Sequence, residues 1–193
     1  MGDLWFTADT HFGHANIIKH AGRPFRSAAE MDEALIQLWN ETVKPQDTVW
    51  HLGDFMWSVK PTEWVVRAKE LHGHLRLVVG NHDTSSVTKK LKKWGDSSGF
   101  ERIEDLYFMK LGDRKRAGLE GLVLCHYPMV TWNKKHFGVV HLHGHCHGSL
   151  QRRDRRAIDV GVDTHMYRPY NFDEIVTLVE NAPIVIEDHH TRR

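Results

Sequence analysis

Apolar residues along the chain gather in short runs that end at polar clusters, and in the first half longer stretches with helical spacing separate them. Residues 4–8 read as a strand that stops at Asp9-Thr10-His11. Across 27–43, Met31, Leu35, Leu38 and Trp39 recur on one helical face, and Ser27 with Glu30 three positions on has the spacing of a capping box. Residues 47–52 predict a second strand, 61–71 a second helix and 75–79 a third strand. That alternation predicts parallel pairing with helices laid over the sheet. The second half changes character. A short basic helix over 89–94 is followed by strand-like runs at 100–103, 106–111, 121–124, 139–142, 157–162 and 184–187, with one helix over 172–180. Many strands and few helices predict a second sheet packed on the first, an α/β protein in one domain spanning 1–193, without repeats or a long linker.

Composition narrows the classes. Over 193 residues, 26 Lys and Arg against 25 Asp and Glu leave a formal charge of +1, which excludes a strongly basic polymer-binding surface as the dominant feature. Hydrophobic content of 40% with 26% charged residues describes a folded chain. Two cysteines, Cys125 and Cys146, make no disulfide framework. No signal-peptide pattern opens the chain, and no apolar run approaches the roughly 20 residues that span a bilayer. The expectation is a cytoplasmic protein with no membrane partner. Sixteen histidines remain to be explained.

Their positions are informative. Asp9 and His11 follow the first predicted strand, Gly53-Asp54 the second and Gly80-Asn81-His82-Asp83 the third, while His126 and Gly144-His145-Cys146-His147 follow two strands of the second half. Carboxyl ends of strands form the ligand crevice of an α/β sheet. Carboxylate, amide and imidazole donors without thiolate suit Mn, Fe or Zn. Seven candidate ligands, Asp9, His11, Asp54, Asn81, His126, His145 and His147, exceed what one ion takes from a protein and suit two ions sharing a carboxylate.

In order and spacing these blocks resemble the calcineurin-like metallophosphoesterases, over residues 4 to about 163 and without an added cap, as in compact single-domain bacterial and phage members. The resemblance implies a four-layer αββα sandwich, two mixed sheets flanked by helices. It also implies two divalent metal ions (Mn, Fe or Zn, with Mn favoured): Asp9, His11 and His147 on the first, Asn81, His126 and His145 on the second, and Asp54 bridging. His82 would steady the phosphoryl oxygens or protonate the leaving group, and Asp83 would orient His82. A metal-bound hydroxide would attack a phosphoester in line, with a phosphodiester or nucleotide favoured over a monoester and nucleic acid among the candidate partners.

Further residues carry both a functional and a plainer reading. His14 and Asn16 stand as candidate substrate contacts or local caps, and Arg23 and Arg26 as a phosphate grip or ordinary surface ion pairs. Trp132, Asn133 and His136 form a candidate stacking wall or a packed loop. His141 and His143 read as sheet histidines. Trp5, Trp39, Trp50, Trp57, Trp64 and Trp94 read as core or its edge. The runs Lys89-Lys90, Lys92-Lys93 and 152–156, the last placed at a hairpin tip, support an alternative: a nucleic-acid-binding module with a vestigial or structural metal site.

Overall fold

The computed structural model describes residues 2–116, 118–151 and 154–185. Its first sheet has the strand order β4-β3-β2-β1-β9. These are β1 (Leu4–Thr7), β2 (Thr48–His51), β3 (His74–Val78), β4 (Phe100–Glu104) and β9 (Tyr170–Asn171). The first four run parallel, and β9 pairs antiparallel with β1. The second sheet has the order β5-β6-β7-β8, from β5 (Tyr107–Met109), β6 (Leu122–Leu124), β7 (Val140–His143) and β8 (Ala157–Asp159). Here β6, β7 and β8 are parallel and β5 is antiparallel. Both sheets are mixed and helices flank them, as expected.

Alternation along the strands divides the core. Leu4, Phe6 and Ala8 of the first sheet face Leu122, Leu124, Val140 and Leu142 of the second, with Trp50 and Leu52 between. The opposite face of the first sheet presents Val49, Leu75 and Leu77 to α2 (Ala28–Thr42), α3 (Pro61–Glu70) and α4 (Ser85–Trp94), whose Met31, Leu35, Trp39, Trp64 and Leu91 are buried there. The far face of the second sheet is covered differently: Trp132 packs on Val123 and Val139 from a loop with one 3-10 turn, Lys135–Phe137. Helix α5 (Phe172–Val179) closes the inter-sheet core with Phe172, Ile175 and Val179.

Several expectations need correction. Helix α4 starts at Ser85, four residues before the predicted 89, because Val87 and Thr88 are also buried beneath it. Helix α1 (Ala15–His20) was not foreseen: it buries only Ile17 and has no side-chain cap, so no apolar face marks it. Strand β9 is two residues long, too short for alternation to register. Ile184 and Val185 are not in a strand, and the remainder of the predicted 184–187 run lies outside the described residues. The capping box appears at α5, between Asn171 and Glu174; at α2, Ser27 accepts from the Glu30 amide, but the Glu30 carboxylate turns to the Arg26 amide. The 152–156 run lies between two parallel strands, so it is no hairpin tip. Arg152 and Arg153 lie outside the described residues, while Arg156 is buried and donates to the carbonyls of Ala182, Gly118 and Gly138. Among the described residues, no helix is long and apolar enough to cross a membrane.

Candidate metal centre

The ends of β1, β2, β3, β6 and β7 meet along one edge of the sandwich. Asp9 N donates to Gly53 O and His11 N to Asp54 O, each at 3.0 Å, so the ladder between β1 and β2 continues into the polar clusters. Gly144 N donates to His126 O at 3.0 Å and Val162 N to Ala8 O at 3.0 Å, the second tying one sheet to the other. Five of the seven candidate ligands, Asp9, His11, Asp54, His145 and His147, sit at positive φ between 47° and 72°. That backbone costs roughly 1 kcal/mol or more per residue and concentrates at functional sites. It turns each side chain inward off its strand.

Close approach also dictates the glycines. A Cβ on Gly144 would lie 2.6 Å from Asp9 Oδ2, and one on Gly80 would collide with the Asp54 carboxylate and amide. Neither has positive φ, so sheer lack of room selects glycine at both places, whereas Gly53 at φ +94° is also needed for its turn.

Two groups of donor atoms converge to within 4.8 Å of one another: Asp9, His11 and His147, and Asp9, Asp54 and His126. Asp54 Oδ2 lies 3.5 Å from His11 Nε2 and 3.4 Å from His126 Nε2, between the two groups. Asn81 Oδ1 lies 2.9 Å from both His126 Nε2 and His145 Nδ1. All seven candidate ligands are thus brought into one cluster.

The donors suit cations. Asp9 is fully buried, and burial pushes its carboxyl up to about 7, against the opposing pull of His147 and His126. Burial drives the His11 imidazole down to about 2, and its buried Nε2 has no hydrogen-bond partner. His126 donates from Nδ1 to Leu52 O at 2.8 Å, which turns Nε2 inward. Burial works against a charge on that ring, but its hydrogen bond to Asp54 and the charges of Asp54 and Asp9 carry it up to about 9. Burial likewise opposes ionisation of Asp54, yet His126 and the His82 amide hold its carboxyl down at about 2. His126 and His147, both raised against burial by the carboxylates beside them, offset the buried negative charge, and divalent ions would take over that role at these same donors.

The family model for calcineurin-like phosphoesterases matches residues 3–190. The chain belongs to the calcineurin-like phosphoesterase family. This phosphoesterase is 30% identical over 192 residues to an uncharacterized protein of Methanocaldococcus jannaschii, covering 96% of each chain. Gene 66 protein of Mycobacterium phage D29 is 29% identical over 188 residues, covering 84% of this chain and 89% of that one. A solved structure, a protein of unknown function from Aquifex aeolicus, superposes with a TM-score of 0.67 at 27% identity, over 92% of this chain and all of that one. Membership makes the chain a metal-dependent phosphoesterase, and the two donor groups give its metal candidate sites.

Other parts of this phosphoesterase are arranged differently from the sequence expectation. Asp83 does not orient His82: its carboxylate accepts from the amides of Asp54, Phe55 and Gly80 at 2.8–2.9 Å, lacing the turn after β2 to the turn after β3. The His82 ring reaches inward instead, its Nε2 4.0 Å from Asp54 Oδ2. Arg23 grips no phosphate, because it is buried and all five of its N–H groups are directed inward. They meet both oxygens of Asp163, the carbonyls of Asp9 and Thr10, and Met31 Sδ. Arg26 is exposed and pairs with Glu30 at 3.1 Å. Trp132 is buried with its indole N–H on Val139 O, and Asn133 is exposed on the same loop. His136, half-buried, packs on Phe137. Trp132 therefore packs on the second sheet and not on the cluster. His14 stands at the centre's edge, its Nδ1 3.4 Å from His11 Nδ1, while Asn16 is exposed on α1. His141 is a sheet-core residue, both ring nitrogens 3.1 Å from carbonyls of Val123 and Tyr127.

Three residues escaped the sequence reading. Asp163 Oδ2 lies 2.7 Å from His147 Nδ1, fixing that ring from behind while Arg23 holds the carboxylate. Nothing local distinguishes it from any turn aspartate. Trp57 is 53% exposed and Tyr127 46% exposed, both against the cluster's histidines. Trp57 follows the buried Phe55-Met56 and so reads as core, whereas Tyr127's adjacency to His126 was the available signal.

Proposed function

We propose that this phosphoesterase carries two metal ions and acts on phosphodiesters or nucleotides in preference to simple monoesters, in a cytoplasmic setting where Cys125 and Cys146 stay reduced. The observation that supports it most is Asp54, whose one carboxylate oxygen stands within 3.5 Å of an imidazole of each donor group. Asp9, His11 and His147 would hold the first ion; Asn81, His126 and His145 would hold the second, with Asp54 between. Two divalent ions, Mn favoured, would provide an activated water at neutral pH and offset charge on the phosphoryl oxygens.

The protein's own groups set up the rest. The backbone amide of His145 donates to both oxygens of Asp9, at 3.1 and 2.9 Å, and the His82 amide donates to Asp54 Oδ1 at 2.8 Å. Both carboxylates therefore keep a fixed orientation. The His82 ring is about one-third exposed beside the cluster, suited to give a proton to a departing ester oxygen or to donate to a phosphoryl oxygen. A diester fits because Asn81, His145 and Tyr127 on this edge are exposed, leaving room for a second ester group. The test measures hydrolysis of bis(4-nitrophenyl) phosphate against 4-nitrophenyl phosphate with Mn, Fe or Zn restored to chelator-treated protein. Metal-dependent turnover with the diester ahead is the expected result. A monoester preference would refute the substrate class, and absence of metal-dependent turnover would refute the mechanism.

A further inference from the structure

Trp57 is the most exposed tryptophan that touches the candidate centre. Its backbone is fixed: its amide donates to Phe12 O at 2.8 Å, and Met56 bridges to Phe12. His14 stacks on its ring nearly parallel, centroids 4.1 Å apart at 10°, so one face is backed by a buried imidazole. Beside it opens a cavity of about 340 Å³ lined by Trp57, Val59, Lys60, Glu63, His82 and Thr84. The Trp57 and His82 rings stand 5.3 Å apart, and His82 Nε2 is 4.0 Å from Asp54 Oδ2. An indole platform, a small cavity and the bridging carboxylate therefore follow one another in space, with His82 between.

A rigid, half-exposed indole offers large stacking area at little entropic cost and accepts any planar ring. The cavity is at the small end of ligand pockets. On its other side Trp57 borders a second depression carrying Asp32, Glu63 and Glu70, where Arg67 is already paired with Asp32 and Glu70. Glu63 lines both spaces and is paired with Lys60 at 2.9 Å, so what directs the ligand to the first cavity is His82, which lines that one and not the second.

We propose that Trp57 is the platform for the nucleobase of a small nucleoside phosphoester, whose phosphoryl group lies at the Asp9–Asp54 cluster. This rests on the phosphoesterase reading above and adds a recognition element to it. Among the described residues, Trp57 is the aromatic platform on the His82-side cavity, so the ligand has one base; Tyr127 lies apart, edge-on to His126 and His145.

The test compares AMP with ribose 5-phosphate, which share the phosphate and sugar and differ by the base. Affinity for the Mn-loaded protein is read by competition against a chromogenic phosphoester and by quenching of intrinsic tryptophan fluorescence. AMP is expected to bind roughly tenfold more tightly than ribose 5-phosphate. Trp57→Ala should remove that advantage while leaving ribose 5-phosphate within twofold, and Trp57→Phe should keep most of it while losing the quench. Equal weakening of both ligands by Trp57→Ala, or no AMP advantage in the unaltered protein, overturns the proposal. The fluorescence arm separates the two failures. Absence of turnover with the AMP preference intact and dependent on Trp57 would count against the phosphoesterase reading alone.

Discussion

The candidate centre has a buried wall and an exposed rim, and they are built on different principles. Asp9, His11, Asp54 and His126 are almost wholly buried, held in place by backbone amides, a carbonyl and strained turns. Asn81 and His145 are exposed, His82 is partly so, and the aromatic neighbours Trp57 and Tyr127 face solvent. The wall carries ionisable groups that burial alone would neutralise, so its stability and its chemistry both depend on opposite charge brought by cations. The rim depends on contacts with whatever enters. Damage to the wall should therefore cost metal and turnover together, whereas damage to the rim should separate them.

The largest effect is expected at the wall. Asp54→Asn removes the carboxylate charge that stands between His11 and His126, and turnover should fall by at least about a thousandfold with weaker metal binding. Steady-state kinetics beside metal analysis checks this, and retained activity would remove Asp54 from its bridging place. Next comes the rim. His82→Ala should lower kcat about a hundredfold or more while metal content stays near that of the unaltered protein. Loss of metal in this variant would make His82 part of the wall.

The third expectation concerns the buried histidines beneath the wall. Burial lowers the His141 imidazole from its usual 6.5 to about 4. The unfolded chain takes up that proton below pH 6.5 and the folded chain refuses it until about 4, so this contribution is complete above 6.5 and is lost as pH falls across that window. Asp9 and Asp83, raised to about 7 and about 6 by burial, act in the opposite sense, so the comparison must be made against a variant. The stability difference between the unaltered protein and His141→Gln should narrow by about 2 kcal/mol from pH 7 to pH 5, measured by denaturant unfolding. A constant difference would mean that His141 titrates in the fold as it does in the unfolded chain, with no shift from burial. The smallest effect is expected behind the wall: Asp163→Asn should weaken metal affinity roughly tenfold through a looser His147, with little change in substrate KM. Unchanged affinity would leave Asp163 a partner of Arg23 only.

Sequence reading reached β1 to β8, helices α2 and α3 and the polar clusters because each is a local pattern. Short apolar runs mark β1 to β3, and the clusters follow them directly, so Asp9, Asp54 and Asn81 could be placed without long-range knowledge. The failures are residues whose partners lie far along the chain. Arg23 reads as a phosphate grip or a surface ion pair, both exposed, until Asp163, 140 positions away, accepts its buried guanidinium. Asp83 neighbours His82 in sequence but spends its carboxylate on amides at the end of β2, 28 and 29 residues back. For Trp132 the sequence leaves a stacking wall and a packed loop both open, and the packed reading holds: among the described residues no long helix covers the far face of the second sheet, and the indole fills that gap. Trp57 fails in the opposite direction: two buried neighbours suggested core, and only the turn after β2 brings it to the surface beside His82.

On the proposed reading, the buried wall holds two cations for phosphoester hydrolysis. Titration of Mn into chelator-treated protein, with bound ion counted and diester hydrolysis followed in the same samples, tests it most directly. The expected result is two ions per chain, with turnover appearing as the sites fill. Binding of no ion or only one at saturation, or hydrolysis that persists in the chelator-treated protein, would contradict it.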